Sequence, residues 1–241
     1  MKSRTEIDII ILSLATNDEL KQITEECIRS LMSSEDPALI KFNVIVMEAQ
    51  QQMAPFQYLN TITVYPKEKY GYHRYMNMGI EMTSSKYVCL CNHDLHFHAG
   101  WASEMLKAFH KYYDLSSASP FCSVHHPKMG FEENNGLYPG YRSRFEVAGW
   151  CLFLKRDVFR LTGKLDENYQ FWCADNDYSN TLAALNLRHA LVSSSVVDHL
   201  DQCILDQQTD KENTLTSNEF FYHEKKWNHR MTAGWTVYEE H

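Results

Sequence analysis

Ile7 to Leu14 is a nearly unbroken apolar run, which predicts a strand covered on both faces, as in a parallel sheet. Thr16 or Asn17 can cap the helix that follows, and Leu20, Ile23, Cys27 and Leu31 share one face of it. Ser33 to Pro37 ends that helix. Phe42 to Met47 then predicts a second strand ending at Glu48, and Ile62 to Val64 a third. Tyr72, Tyr75, Met76, Gly79 and Ile80 recur at helical spacing. Tyr87 to Cys91 reads as a buried strand that stops abruptly at Asn92-His93-Asp94. Trp101, Met105, Leu106, Phe109 and Tyr113 form another helical stripe. Ser116 to Arg144 shows no period and is rich in Ser, Pro, Gly and Asn. A loop of that length is usually a lid or an acceptor-binding segment. Phe145 to Leu154 predicts a strand, Arg156 to Thr162 a short helix stopped by Gly163, and Tyr178, Leu182 and Leu185 one face of a longer helix. Ala190 to Val197 predicts a last strand, ending in Asp198-His199. A further helix runs through Phe220, Phe221 and Trp227. Strand–helix–strand from the start places the chain in the α/β class, with a Rossmann-like, mostly parallel central sheet.

The chain has 241 residues, 44% of them hydrophobic, which supports one large domain. We expect that domain over residues 1–200, a nucleotide-binding half at about 1–100 and a second half at about 101–200, with 201–241 a C-terminal extension packed on it. No apolar run reaches the ~20 residues of a membrane span. Seven cysteines, scattered and mostly inside apolar runs, suit buried thiols in a reducing compartment, so the expected location is cytoplasmic. A net charge of −8 argues against a chain-wide nucleic-acid footprint, though not against a local basic face.

Three polar clusters terminate apolar elements: Asn92-His93-Asp94, Asp175-Asn176-Asp177 and His199. Oxygen ligands at the carboxyl end of a central strand suit a hard dication that grips a diphosphate. His93, His96 and His98 alternate with other residues, so no single face presents three zinc ligands cleanly. Trp150 and Trp172 can stack on a sugar or belong to the core.

In order and spacing these clusters resemble the family-two glycosyltransferases of the GT-A fold, over roughly residues 5–200. Asn92-His93-Asp94 looks like the Asp-x-Asp segment, Gly71 to Gly79 like the Gly-x-x-x-x-x-Asn-x-Gly helix before it, and Gly149-Trp150-Cys151 with Gly163-x-Leu165-Asp166-Glu167 like the acceptor half. The resemblance implies an inverting, metal-dependent transfer of a hexose or pentose from a nucleotide diphosphate, with a UDP-sugar the expected donor. It implies a donor site of Ser13, Leu14, Ala15, Thr16, Glu48, Gly71, Arg74, Asn77, Asn92 and His93. Mn²⁺ or Mg²⁺ would be held by Asp94 and His199. Asp175 would be the catalytic base, and Trp150, Trp172 and Asp177 would bind the acceptor. Two positions depart from the pattern: Asn92 replaces the first acid, and Ala174 replaces the usual Glu of a Glu-Asp pair.

The expected acceptor is a saccharide or another polyhydroxy molecule. Cations among aromatics (Lys67, Lys69, His73 and Arg74, then Arg142, Arg144, Lys155 and Arg156) leave hydroxylated bases of DNA as the alternative acceptor. A sugar-phosphate nucleotidyltransferase fits less well, because Leu14 to Asp18 lacks a Gly-rich basic loop. A non-catalytic nucleotide-sugar binder, with Ala174 as the mark of lost activity, is the remaining alternative.

Overall fold

A computed structural model describes residues 4–201 and 210–228, with side chains described outside 210–217. The first half alternates as expected: β1 (Thr5–Ser13), α1 (Asp18–Ser33), β2 (Ile40–Glu48), β3 (Ile62–Val64), α2 (Tyr72–Glu81) and β4 (Tyr87–Asn92). These four strands run parallel in the order β3-β2-β1-β4. Ile7, Ile9, Ile10 and Ile11 have no exposed surface, so both faces of β1 are core. Asn17 is the cap of α1, its side chain accepting from Leu20 N at 2.9 Å. Gly79 lets α2 lie directly on β1. A Cβ added there would sit 2.6 Å from Ile10 Cγ2.

The second half is mixed. After β5 (Leu95–Phe97) and α3 (Trp101–Lys111) come β6 (Ser117–Phe121), β7 (Leu137–Pro139), β8 (Cys151–Lys155), α4 (Phe159–Thr162), α5 (Ala174–Ala184), β9 (His189–His199) and α6 (Asp210–Trp227). β8 runs antiparallel between β4 and β6, β9 parallel to β6, and β5 and β7 both antiparallel to β9. The expected irregular stretch over 116–144 thus contains two strands. The expected strand over 145–154 shortens to β8, because Glu146 is drawn into a bidentate ion pair with Arg142 and the chain turns there. Tyr113 and Leu185 lie outside the core, 87% and 45% exposed, at positions where their helices have already ended.

The described cysteines Cys27, Cys89, Cys91, Cys122, Cys151 and Cys173 are buried free thiols. No helix among the described residues is long and apolar enough to cross a membrane. Several of the cations considered for DNA are internally engaged. Arg156 donates to Asp8, Thr83, Ile80 O and Ser85 O, Arg74 pairs with Glu167, Arg142 with Glu146, and Lys155 donates to Tyr113 O.

The helix α6 grips the segment that leads into α5. Glu219 accepts from the backbone N–H groups of Gln170, Phe171 and Trp172. Lys226 Nζ lies 2.7 Å from both Asp166 Oδ2 and Asp177 Oδ1. Burial pushes the Asp166 carboxyl up, but hydrogen bonds from Lys226, Asn168 and Tyr222 outweigh it and hold the group at about 2. Lys226 is itself shifted upward, because the two carboxylates outweigh its burial. Lys226→Met should therefore cost about 2 kcal/mol at pH 7, less than a fully buried pair because solvent partly screens the lysine. Asp166 has a depressed folded pKa, so its share is present above the unfolded value of about 3.9 and vanishes as pH falls toward its folded one. Urea unfolding of parent and variant should show the gap closing below about pH 4, and a gap that widens there contradicts the ion pair.

Candidate active site

The site is assembled where β4 ends. Five residues of β4, Tyr87 to Cys91, are buried, and the strand delivers Asn92 half-buried, His93 at 5% and Asp94 at 0% exposure. Neither oxygen of Asp94 has a hydrogen-bond partner. β5 continues the chain and pairs Leu95 with His199 at the end of β9, which places His199 Nε2 3.3 Å from Asp94 Oδ1. His199 Nε2 likewise makes no hydrogen bond. Burial raises the Asp94 pKa, but the His199 and His93 imidazoles outweigh it and keep the group below the usual carboxylate range. The result is a buried carboxylate, ionised at neutral pH, facing an imidazole nitrogen. His93 Nε2 and Trp150 Nε1 are likewise buried and unpartnered.

Trp150 forms the wall. Its ring stacks on His199 at 5.1 Å with planes 5° apart, and its carbonyl accepts from Asn92 N at 2.9 Å. The preceding Gly149 touches the other acid. A Cβ there would lie 2.6 Å from the Cβ of Asp175 and 3.1 Å from its carboxyl carbon. Gly149 and Trp150 therefore join the Asp94–His199 pair to Asp175 through adjacent residues. Asp175, half-buried in the first turn of α5, accepts from Ser143 Oγ on Oδ2 and from Asn176 N on Oδ1. Tyr72 closes this side, its hydroxyl donating to Gly149 O at 3.3 Å.

Several expected donor residues have other work. Ser13 is fully buried and bonded to Thr24 and Tyr58. Glu48, 1% exposed, accepts from Ala15 N, Gln50 N and Tyr58 Oη, so it shapes the loop after β1. Leu14 and Thr16 are the half-buried members of that loop, and Ala15 lies beneath them. Gly71 is the N-cap of α2. Asn77 is 3% exposed and fastened to Leu165 N, Leu165 O and Glu167 Oε1, while Arg74 holds the other oxygen of Glu167. Asn77 and Arg74 therefore join α2 to the turn before α5. In the same way Asp177 is 3% exposed and bound to Lys226 and Trp227 Nε1. Trp172 packs edge-on against Phe171 beside α6.

Three residues outside the sequence expectation belong here. Ser143 positions Asp175. Asp201 lies beside the other nitrogen of His199, Nδ1 to Oδ1 at 2.9 Å, and His125 Nε2 lies 3.0 Å from Asp201 Oδ2. In the sequence these residues are marked by no motif beyond the adjacent histidines His125-His126 in the long segment.

No family model and no curated protein matches this sequence. Solved structures do match its fold. Residues 1–349 of TarS from S. aureus align at a TM-score of 0.57 with 10% identity, covering 80% of this chain and 59% of that one. GalNAc-T7, solved with UDP, GalNAc and Mn²⁺, aligns at 0.62 with 10% identity, covering 92% of this chain and 50% of that one. The chain thus spans between half and three-fifths of their lengths. The architecture is that of a Rossmann-like GT-A domain with a mostly parallel first half.

Gly149→Ala should destabilise the protein by about 1–3 kcal/mol through the collision with Asp175. In an Asp175→Gly background that cost should largely disappear, because the obstructing Cβ is gone. Equal costs in both backgrounds, measured by urea unfolding, would place the strain elsewhere.

Proposed function

We propose that this chain is a metal-dependent glycosyltransferase that moves a sugar from a nucleotide diphosphate, UDP being the expected carrier, to an acceptor hydroxyl with inversion at the anomeric carbon. The observation that carries the reading is Asp94: a fully buried, ionised carboxylate with no hydrogen-bond donor, two residues beyond the strand at the centre of a GT-A sheet and faced by His199. A dication is the partner such a group lacks. Asp94 and His199 would hold Mn²⁺ or Mg²⁺, and the bound ion would offset the charge that builds on the leaving diphosphate. UDP and Mn²⁺ are what GalNAc-T7 was solved with, which supports the same choice here.

The donor lies, on this reading, over Leu14, Ala15 and Thr16, with Asn92 and His93 beneath it. The acceptor approaches along Trp150, whose ring offers a flat face for a saccharide. Asp175 takes the proton of the attacking hydroxyl. Ser143 and Asn176 N hold both its oxygens in place, so the base is oriented before substrate arrives. A saccharide acceptor fits better than DNA, since Arg74, Arg142 and Arg156, three of the cations that DNA would need, are paired with carboxylates within the fold.

Asp94→Asn should abolish the rise in melting temperature that UDP with Mn²⁺ gives the parent, without lowering the melting temperature of the metal-free protein. A variant that still responds to UDP with Mn²⁺ rejects Asp94 as the metal ligand. Asp175→Asn should lower kcat by about 10²- to 10⁴-fold and leave the KM for the nucleotide sugar within a few-fold. A loss confined to KM would assign Asp175 to binding instead.

A further inference from the structure

The face of His199 turned away from Asp94 carries a second cluster. Asp201 Oδ1 lies 2.9 Å from His199 Nδ1, and Asp201 Oδ2 lies 3.0 Å from His125 Nε2. One donor atom from each of the three residues falls within a span of 4.8 Å. Two ligands bonded tetrahedrally to zinc at ~2.0–2.1 Å stand about 3.3 Å apart, close to these separations. The cluster is built, not incidental. His125 Nε2 is buried and makes no hydrogen bond. His126, next in the chain, is locked by Cys122 N on one ring nitrogen and Phe145 O on the other, which fixes the loop that presents His125. Stacking on Trp150 fixes the plane of His199. Asp201, 61% exposed, leaves the cluster open to solvent on one side.

We propose that His125, His199 and Asp201 form a site for a transition-metal dication of the zinc type, separate from the Asp94 site and exclusive with it. Two imidazole nitrogens and one carboxylate, with a fourth position open, suit Zn²⁺ far better than Mn²⁺ or Mg²⁺. Exclusion follows from the ring itself. A neutral imidazole has one nitrogen lone pair free and a proton on the other nitrogen. Zinc on Nδ1 leaves the proton on Nε2, where it points at the Asp94 carboxylate 3.3 Å away and removes that nitrogen as a ligand. Conversely, an ion held by Nε2 and Asp94 keeps the proton on Nδ1, directed at Asp201. His199 is thus a two-position switch, and zinc is predicted to antagonise the dication at Asp94. The zinc site itself stands whether or not the protein transfers sugar.

The test is titration of the metal-free full-length chain with ZnCl₂ by calorimetry, in the parent and in His125→Ala, Asp201→Asn and Asp94→Asn. One site is expected in the parent, weakened about tenfold or more by either His125→Ala or Asp201→Asn and changed little by Asp94→Asn. Asp201 is exposed, so its variant folds and reports on ligation even if His125→Ala does not. Displacement is read by the Mn²⁺ EPR signal, which should report release of bound Mn²⁺ by zinc in the parent and not in Asp201→Asn. No zinc uptake by the parent overturns the proposal. So does full zinc affinity in both His125→Ala and Asp201→Asn, or loss of zinc in Asp94→Asn, which would put zinc on the Asp94 site. Zinc bound without release of Mn²⁺ would overturn the exclusion.

Discussion

A carboxylate with no exposed surface and no hydrogen-bond donor costs several kcal/mol relative to one in water. Asp94 is such a group, and the surrounding fold is arranged so that the cost is borne there. Its position is fixed by the pairing of β4 with β1 in parallel and β8 in antiparallel, and by the short β5 that immediately ties the chain to β9. The groups that offset its burial most are the imidazoles of His199 and His93, which can share an ion with a carboxylate. An apolar neighbour would have driven the acid to protonate.

The two halves of the sheet solve different problems. Around β1 the strands are isoleucine, valine and methionine, packed by helices on both faces. Beyond β8 the core is built from small and polar residues. All five residues of β6 (Ser-Ala-Ser-Pro-Phe) are buried, and their hydroxyls are satisfied internally: Ser117 by Tyr178 and His189, Ser119 by Ala148 N. Burial holds His189 neutral, at about 4, between Ser117 and Glu146 O. Such a satisfied polar layer specifies one arrangement of neighbours more strongly than an apolar one would, because each slip leaves a donor unpaired. The turn that it specifies is the one carrying Ala148, Gly149 and Trp150.

This difference explains what could be read from the chain. Elements whose period or β-branched content is strong were legible: β1, β2, β4, α1, α2 and α3 all fall where their patterns put them. Asp94 and His199 were legible as polar residues ending apolar runs, and the structure brings them together. β6 was not, because Ser, Ala and Pro carry no strand preference and its burial depends on partners 61 and 72 residues away. Nor was the engagement of Asn77, Asp177 and Glu48 legible. Each sits at a motif-like position, yet its hydrogen bonds go to Leu165, Lys226 and the loop after β1, contacts that only the folded chain defines.

The same long-range packing accounts for Ala174, the residue that stands where an acid was expected. Ala174 is 6% exposed and belongs to a cluster with Tyr169 and Cys173, against which Trp172, Phe220 and Tyr222 pack. A glutamate there would carry its charge into an apolar layer formed in part by α6, with Asp175 and Asp177 close in sequence and like in sign. The cost of an unpaired buried carboxylate would fall on the helix contact itself. The carboxylate that α6 does bring, Glu219, is placed where three consecutive backbone N–H groups can receive it. Ala174 is therefore a packing position beneath α6, and its identity follows from how the helix is seated. Asp175, one residue on, points the other way, to Ser143 and Gly149, and is independent of that layer. The substitution at 174 thus carries no sign of lost chemistry at 175.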